Sequence, residues 1–307
     1  MYSIRRIDRL QAEDIEYLGT KRKFWFTTDG QRFLFKAEER GTGEDWAEKV
    51  VCELARLLGI PHVDYELAHE YEGQTSIQPG VVCPTFVPRP QVLVLGNQLL
   101  VIQDSAYPAE EVRKYGVREY TVEAVADIVS LLKPPAEEWM QATPSGITTS
   151  LGVFTGYVML DAWVANQDRH HQNWGAIWQA PGIRLAPTFD HGASLARNLT
   201  DEERKERLHT RDRNRTVEQF CGRARSGFYT ATQKDKTVLA IDVFRSFAER
   251  DPSAARIWLG KLAEIDQIAV DAILAEIPPQ RMSPVTREFT LKLLMTNQRR
   301  LLEGIGQ

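Results

Sequence analysis

A polar stretch near the middle of the chain carries residues that could transfer a phosphoryl group. Asp168 and Asn173 lie five positions apart in it. In phosphoryl transfer, an aspartate orients or deprotonates the attacking hydroxyl, while an amide and a second carboxylate hold Mg²⁺ on the phosphates. The catalytic loops of kinases use this same separation, because it brings both side chains to one site from one turn. The pair therefore indicates phosphoryl-transfer chemistry.

A second aspartate follows an apolar strand candidate. Asp190 comes after Ile183, Leu185 and Phe189, and the Asp-His-Gly that it begins stands where kinases carry Asp-Phe-Gly. An Asp–Asn pair alone would be weak evidence. Asp168, however, directly follows an apolar helix candidate, and a buried core would not tolerate unpaired polar groups at that point.

Two other interpretations of the polar stretch stay open at this point. The stretch could be the capped end of a helix followed by a solvated loop. Alternatively, His170, His171 and His191 could bind Zn²⁺ together with Asp190. Adjacent histidines rarely converge on one ion, which disfavours the zinc site.

The first third of the chain supplies elements that a nucleotide site needs. Lys23–Thr28 and Gln31–Lys36 are predicted strands, and the Asp-Gly between them is a strong hairpin signal. Apolar residues at helical spacing predict a helix over Glu44–Leu58, which Gly59 and Pro61 would end. The predicted order is therefore strand, strand, helix.

Lys36 lies in the second predicted strand, and Glu48 lies on the helix that follows. A kinase nucleotide site needs a strand lysine held by a helix carboxylate. Glu44 and Glu53 are alternative partners, because spacing alone does not select Glu48. Taken singly, Lys36 would be a surface lysine, but in company with Asp168 a role as a ligand is favoured.

The character of the chain changes at about Val122. Two further strands are predicted before it, at Gly80–Val87 and Gln91–Leu95, and helices dominate after it. The predicted helices are 122–132, 151–164, 237–249, 254–264, 265–276 and 286–303. We therefore predict an α+β, two-lobed, protein-kinase-like fold, with a small β-rich N-lobe over 1–88 and a larger all-helical C-lobe over 89–307.

The composition excludes several classes of protein. The net charge of −4 and the pI near 5.9 give no general attraction to nucleic acid. No apolar run approaches the ~20 residues that span a bilayer, and the N-terminus lacks the apolar core of a signal peptide. Cys52, Cys83 and Cys221 are scattered and are interpreted as reduced thiols. We expect a cytoplasmic protein that binds neither membrane nor nucleic acid directly.

A basic cluster follows the candidate site. It comprises Arg204, Lys205, Arg207, Arg211, Arg213, Arg215, Arg223 and Arg225. One interpretation is a solvated helix or loop face, and the other is a segment that faces a phosphate or an acidic substrate.

Several of these motifs together resemble the HipA-like serine/threonine kinases, the toxin kinases of bacterial toxin–antitoxin systems. The stretch 166–175 looks like that family's N-x-D-R-H-x-x-N signature, and 186–190 matches its A-P-x-[YF]-D. Further matches lie at Gly19–Lys23, at Lys36, over Ala47–Pro61, at Ile277-Pro278 and from Met282 to Arg287. The likeness covers about residues 15–303.

The resemblance implies catalytic and metal-binding roles for three matching residues. Asp168 would be the catalytic base. Asn173 and Asp190 would bind Mg²⁺.

It also implies a set of residues that bind ATP. Lys36 would contact the phosphates with Glu48 as its partner, and Lys23 would contribute from the phosphate-side loop. His170 would contact the nucleotide. Phe86 resembles the hinge that holds adenine through its backbone.

The function that the resemblance implies is phosphorylation of Ser or Thr on an intracellular protein, such as an aminoacyl-tRNA synthetase or another translation component. An antitoxin would be a partner. A phosphoinositide-type lipid kinase is the alternative, because its loop also carries D-R-H-x-x-N. A nucleotide-binding regulator without catalysis is a third hypothesis, which would require the loss of Asp168, Asn173 or Asp190.

Two departures from the family pattern affect regulation. Only 18 residues precede Gly19, which suggests a compact member built on the kinase core. The segment Ile15–Gly19 also lacks the serine that relatives often autophosphorylate. We therefore expect no serine autophosphorylation in this loop, and Thr20 is the candidate if the loop is modified in cis.

Overall fold

A six-stranded sheet forms the N-terminal part of the protein. The structure is a computed structural model that describes residues 1–15, 22–39, 41–109, 115–232 and 235–303. The strands are β1 Arg5–Asp8, β2 Asp14–Ile15, β3 Lys23–Thr28, β4 Gln31–Ala37, β5 Glu66–Glu72 and β6 Thr75–Pro84. Their spatial order is β1-β5-β6-β4-β3-β2, and only the β1–β5 pair is parallel.

The predicted hairpin is formed by β3 and β4. Asp29 and Gly30 both have positive φ, 51° and 75°, as a tight two-residue hairpin turn requires. The alternation of side chains buries Phe24 against Phe35 on one face of the sheet. Lys36, together with Arg32 and Leu34, therefore lies on the opposite face, toward the C-terminal part.

The helix α1 spans Glu44–Leu58, as the sequence predicts. Gly59 ends it with φ 73°, and its N–H donates to the carbonyls of Ala55 and Arg56. A Cβ at this position would lie 2.1 Å from the Ala142 carbonyl oxygen, so the glycine is required for space as well as conformation. The helix packs on β5 and β6 and thereby fixes Glu48 relative to the sheet.

Ten helices of the described residues build the C-terminal part. They are α2 Gly96–Gln103, α3 Val122–Leu131, α4 Glu137–Met140, α5 Ser150–Trp163, α6 Asp201–His209, α7 Val217–Cys221, α8 Ala240–Arg250, α9 Pro252–Ala263, α10 Gln267–Ala275 and α11 Pro284–Glu303. The central one is α5, which is buried along nearly all of its length and packs against α3, α8, α9 and α11. The polar stretch that contains Asp168 and Asn173 follows the C-terminal end of α5.

The C-terminal part is not all-helical, and this part of the prediction is wrong. A three-stranded antiparallel sheet contains β7 Val92–Leu95, β8 Gly175–Gln179 and β9 Gly182–Leu185. β8 and β9 form a hairpin, β7 joins them from a distant part of the chain, and each strand is too short to stabilise a sheet alone. The buried Ala176 and Leu185 anchor it on the helical core.

The α+β class itself is confirmed by these elements. The predicted boundary at residue 88 falls in the connection between β6 and β7. Among the described helices, none combines the length and the apolar composition that crossing a bilayer would need.

Candidate active site

Two adjoining cavities lie between the six-stranded sheet and the helical part. The first, of about 370 Å³, is called the polar cavity here, and its lining includes Glu38, Glu44, Asp45, Glu48, Tyr115, Asp168, His170 and Arg197. The second, of about 330 Å³, is called the apolar cavity, and its lining includes Trp25, Leu34, Phe86, Leu93, Leu95 and Phe189. Both cavities share the wall formed by Lys23, Lys36, Asn173 and Asp190.

Asp168 is positioned by a relay of hydrogen bonds from α5. The Asn166 side-chain amide donates to Asp161 Oδ1 at 2.8 Å, and Asn166 Oδ1 accepts the Asp168 N–H at 3.0 Å. Asp161 and Asn166 are both buried. The carboxylate of Asp168 therefore enters the polar cavity from a backbone that the core of the protein holds.

Arg169 closes the turn between Asp168 and Asn173. Its Nε and Nη2 lie 2.7 and 2.8 Å from the two carboxylate oxygens of Asp161, and Nη1 donates to the Asn173 carbonyl at 2.6 Å. The residue has no solvent-exposed surface. A buried arginine is tolerated because its charge and its donors are all matched.

The side chain of Asn173 presents its oxygen to the shared wall. Its Nδ2 donates to the Asp168 carbonyl at 2.7 Å, so Oδ1 is the atom left for a cation. His170 lies beside Asp168 as well. Its Nδ1 accepts the Gln172 N–H at 3.1 Å, and its Nε2 is 3.7 Å from Asp168 Oδ1.

Lys36, Glu48 and Asp190 form one ionic cluster. The ammonium of Lys36 lies 2.6 Å from Glu48 Oε1 and 2.7 Å from Asp190 Oδ1. Burial opposes the charge on Lys36, but the two carboxylates outweigh it and raise the pKa of the ammonium well above its usual value. Lys36 is therefore a fixed cation in the shared wall.

Asp190 has a left-handed backbone with φ 61°, a conformation that costs energy for any residue other than glycine. The next residue stabilises the turn, because the His191 N–H donates to Glu48 Oε2 at 2.8 Å. The α1 carboxylate of Glu48 thus binds both the strand lysine and the backbone after Asp190. This links three separate segments of the chain.

His191 is a neutral structural group. Its Nε2 accepts from Arg169 Nη2 at 3.0 Å, and the Thr188 hydroxyl lies 2.9 Å away. Burial and the neighbouring Arg169 lower the pKa of the imidazole well below its usual value. A guanidinium at this nitrogen leaves no place for Zn²⁺, so the geometry argues against the zinc alternative.

Lys23 and Phe86 complete the predicted set. Lys23 pairs with Lys36 across β3 and β4, so two cations enter the shared wall from adjacent strands. The Phe86 ring lies in the apolar cavity, 5.5 Å from the Phe189 ring. Thr20 and the rest of residues 16–21, where the sequence predicts the phosphate-side loop, lie outside the described residues.

The sequence has no matching protein-family model, and no curated protein matches it. Among the solved structures that match, two illustrate the shared fold. The proinflammatory kinase CtkA of Helicobacter pylori is 18% identical with a TM-score of 0.69, and the match covers 97% of this chain and 96% of CtkA. The HipA toxin of Shewanella oneidensis MR-1 is 10% identical with a TM-score of 0.56, over 95% of this chain and 65% of HipA. The fold is that of HipA-like kinases. The kinase-like fold inferred from the motifs is thereby confirmed.

The motifs did not identify two residues of the site, Asp161 and Tyr115. Asp161 lies within an apolar helix, and a charged residue at such a position was the available signal. Tyr115 was missed altogether. Its hydroxyl donates to Asp168 Oδ1 at 2.5 Å from a segment with no sequence motif.

The basic cluster of this HipA-like fold has three kinds of member. Arg204 is buried on α6 and donates to the carbonyls of Ala196 and Arg197, each at 3.2 Å, so it has a structural role. Arg207 and Arg225 are half-buried. The third kind is exposed to solvent, namely Lys205, Arg211, Arg213, Arg215 and Arg223.

A second group of titratable side chains lies outside both cavities. Ligand atoms of Cys52, His62 and Asp64 lie within 4.8 Å of one another, and the guanidinium of Arg56 also binds Asp64. Burial opposes protonation of His62, but hydrogen bonds to Asp64 and Cys52 raise its pKa to about 9. Arg56 already supplies a cation to this group.

Proposed function

We propose that the protein is an ATP- and Mg²⁺-dependent kinase of the HipA-like type that phosphorylates serine or threonine on a protein. The observation that carries this proposal is the division of the site into two cavities with a common wall, which two lysines, an asparagine and an aspartate form. Asp168 lines the polar cavity and is not among the residues that line the apolar one. Such a division separates an acceptor hydroxyl from a nucleoside.

The apolar cavity suits an adenine base. Leu34 lies on the sheet side, and Phe86 and Phe189 supply aromatic surface. Flat aromatic bases are held by apolar and aromatic side chains of this kind. Lys23 and Lys36 lie at the border with the polar cavity, where they would bind the phosphates of ATP.

The residues of the shared wall fit Mg²⁺. Asn173 offers an amide oxygen and Asp190 a carboxylate, and Mg²⁺ prefers oxygen ligands of these two kinds. Mg²⁺ held there would neutralise charge on the phosphates of ATP. The chain itself contributes the fixed position of Asp190, which Lys36 and the backbone around His191 maintain.

Asp168 is the proposed base on the acceptor side. Its carboxylate would accept the proton of the attacking hydroxyl as the new oxygen–phosphorus bond forms. His170, whose Nε2 lies 3.7 Å from that carboxylate, would help to orient Asp168. The nucleotide contact that the resemblance implies for His170 is the second role proposed for it.

The likeness in fold supports a protein partner. HipA of Shewanella oneidensis forms a complex with HipB and its operator DNA, and this chain covers 65% of that HipA. We propose that this protein also has an antitoxin partner and that its substrate is a cytoplasmic protein.

The test is phosphoproteomics of cells that express the protein or its Asp168→Asn variant. New phosphoserine or phosphothreonine sites that appear with the active protein alone would support the proposal. Purified protein should also consume ATP in the presence of MgCl₂. Phosphorylation of phosphoinositide vesicles without any protein acceptor would favour the lipid-kinase alternative and overturn the proposal.

A further inference from the structure

The hydroxyl of Tyr115 occupies the place where the candidate base would meet its substrate. Tyr115 Oη donates to Asp168 Oδ1 at 2.5 Å. Its ring meets the His170 ring edge-on, with centroids 5.5 Å apart and planes at 87°. Tyr115 lines the polar cavity together with Lys36, Asn173 and Asp190, although 64% of its surface is exposed.

This contact has the geometry required of an acceptor. A hydroxyl that attacks phosphorus must lie within hydrogen-bond reach of the base that takes its proton. Within the described part of the chain, the side-chain contacts of this mostly exposed tyrosine are with Asp168 and His170, which both line the polar cavity. Tyr157, by contrast, has a structural role, because it is buried and its hydroxyl donates to the Ala186 carbonyl.

We propose that Tyr115 is an intramolecular phosphate acceptor of this kinase. The proposal rests on the kinase function above and identifies a regulatory acceptor for the same site. The phenol oxygen forms a bond to the γ-phosphorus of ATP, the bond from that phosphorus to the β–γ bridging oxygen breaks, and the phenol proton passes to Asp168. The products are phosphotyrosine and ADP.

The modification changes the occupancy of the polar cavity. Before it, Tyr115 competes with any external hydroxyl for the carboxylate of Asp168. Afterwards, the phosphate brings about two negative charges next to Asp168, and like charges at this distance repel. Phosphotyrosine at 115 therefore leaves the carboxylate, and Asp168 becomes available to an external acceptor.

Mass spectrometry tests this directly. The protein is first treated with a tyrosine phosphatase, repurified, and incubated with ATP and MgCl₂. Cleavage after glutamate yields the peptide 112–119, in which Tyr115 carries the one side-chain hydroxyl. We expect a single phosphate on this peptide, at a first-order rate that does not change with protein concentration, because the transfer is intramolecular.

Two variants provide the controls. Tyr115→Phe should show no phosphate in the peptide and should phosphorylate external protein without the initial lag expected of the parent. Tyr71→Phe should behave as the parent, because Tyr71 lies on β5 against Arg6 and is not a lining residue of either cavity.

The outcomes separate this inference from the proposed function. If the parent phosphorylates external protein while the peptide 112–119 stays unmodified, the Tyr115 proposal is wrong and the kinase proposal stands. A peptide that is modified at a rate proportional to protein concentration would also overturn it, because transfer would then occur between molecules. ATP consumption by neither parent nor variants would overturn both proposals.

Discussion

Arg169 and Asp161 form a two-bond ion pair in the interior, with nitrogen–oxygen distances of 2.7 and 2.8 Å. The pair joins the end of α5 to the turn that carries Asp168. Through its remaining donors, Arg169 also reaches the Asn173 carbonyl and His191. One buried cation thus holds the candidate base and metal ligands in a common frame.

Removal of either partner of this pair should destabilise the whole protein. Arg169→Ala and Asp161→Ala should each lower the free energy of unfolding by about 3–5 kcal/mol, because each leaves an uncompensated buried charge. The double variant should lose less than the sum of the two single losses. Urea denaturation followed by fluorescence measures the free energy of unfolding of the two single variants and of the double variant.

The exposed pair between Arg215 and Glu206 is the matched control. Its atoms lie at a similar 2.8 Å, but both side chains are about half exposed. Glu206→Ala should cost less than about 1 kcal/mol, because solvent screens such a pair. Equal losses at the buried and the exposed pair would contradict a framework role for Arg169.

The sequence predicts local structure well where periodicity is strong. The helix α1 is predicted with its observed bounds because its apolar spacing is regular and Gly59 ends it. The strands β1 and β5 were not predicted. The sequence of β5 is Glu-Leu-Ala-His-Glu-Tyr-Glu, and its three glutamates are not typical of a strand. The strand forms because it pairs with β1 on one side and β6 on the other.

In the candidate site too, the sequence predicts relationships between residues that are close in the chain but not contacts between distant ones. Asp168 and Asn173 are close in the sequence, so their spacing alone could indicate a common site. The contact between Tyr115 and Asp168 joins residues 53 positions apart and has no motif. Contacts of that kind depend on how the lobes and loops pack, which the sequence pattern does not encode.

Asp168→Asn should lower the rate of phosphoryl transfer by about 10²–10⁴-fold, because an amide cannot accept the proton of the attacking hydroxyl. The fold should remain, because the backbone of residue 168 is held by Asn166. Single-turnover transfer from labelled ATP gives the rate, and circular dichroism checks the fold. Full activity in a folded variant would exclude Asp168 as the base.

Asp190→Ala should abolish the part of ATP binding that depends on Mg²⁺, because the proposed carboxylate ligand of the metal is lost. Binding without metal should persist weakly, since Lys23 and Lys36 remain. Calorimetry with and without MgCl₂ separates the metal-dependent part of ATP binding from the metal-independent part. Unchanged affinity for Mg-ATP would show that Asp190 has a structural role only, and Asp64→Ala, outside both cavities, is the control.

His62 should make stability depend on pH above neutrality. Its pKa of about 9 in the folded protein exceeds the usual 6.5, so the folded state binds the proton more tightly. The stabilisation is complete below pH 6.5 and is lost as the pH rises to about 9. We expect a loss of up to about 3 kcal/mol across this window, at ~1.4 kcal/mol for each pKa unit.

His62→Gln isolates this contribution. The variant should show little of the decline in unfolding free energy that the parent shows over the same pH range. Urea denaturation of both proteins at the two ends of the window gives the difference. Parallel pH profiles would mean that His62 is not protonated in the folded state.

The exposed arginines after α6 should affect the protein substrate but not ATP. We predict that reversal of Arg211, Arg213 and Arg215 to glutamate lowers kcat/KM for the protein substrate by about tenfold, because association would be steered less strongly. The deficit should shrink as salt is added, since exposed charges are screened within ~10 Å at moderate ionic strength.

The geometry also indicates which of these arginines matters most. Arg215 is already paired with Glu206, whereas no salt bridge is recorded for Arg211 or Arg213 in the described part of the chain, so these two should carry most of the effect. Reversal of Arg245 on α8 together with Arg256 and Lys261 on α9 changes the net charge by the same amount, and this control should leave the kinetics unchanged. If both reversals lower kcat/KM equally, total charge is responsible. If neither does, the arginines form a solvated face without a part in substrate binding.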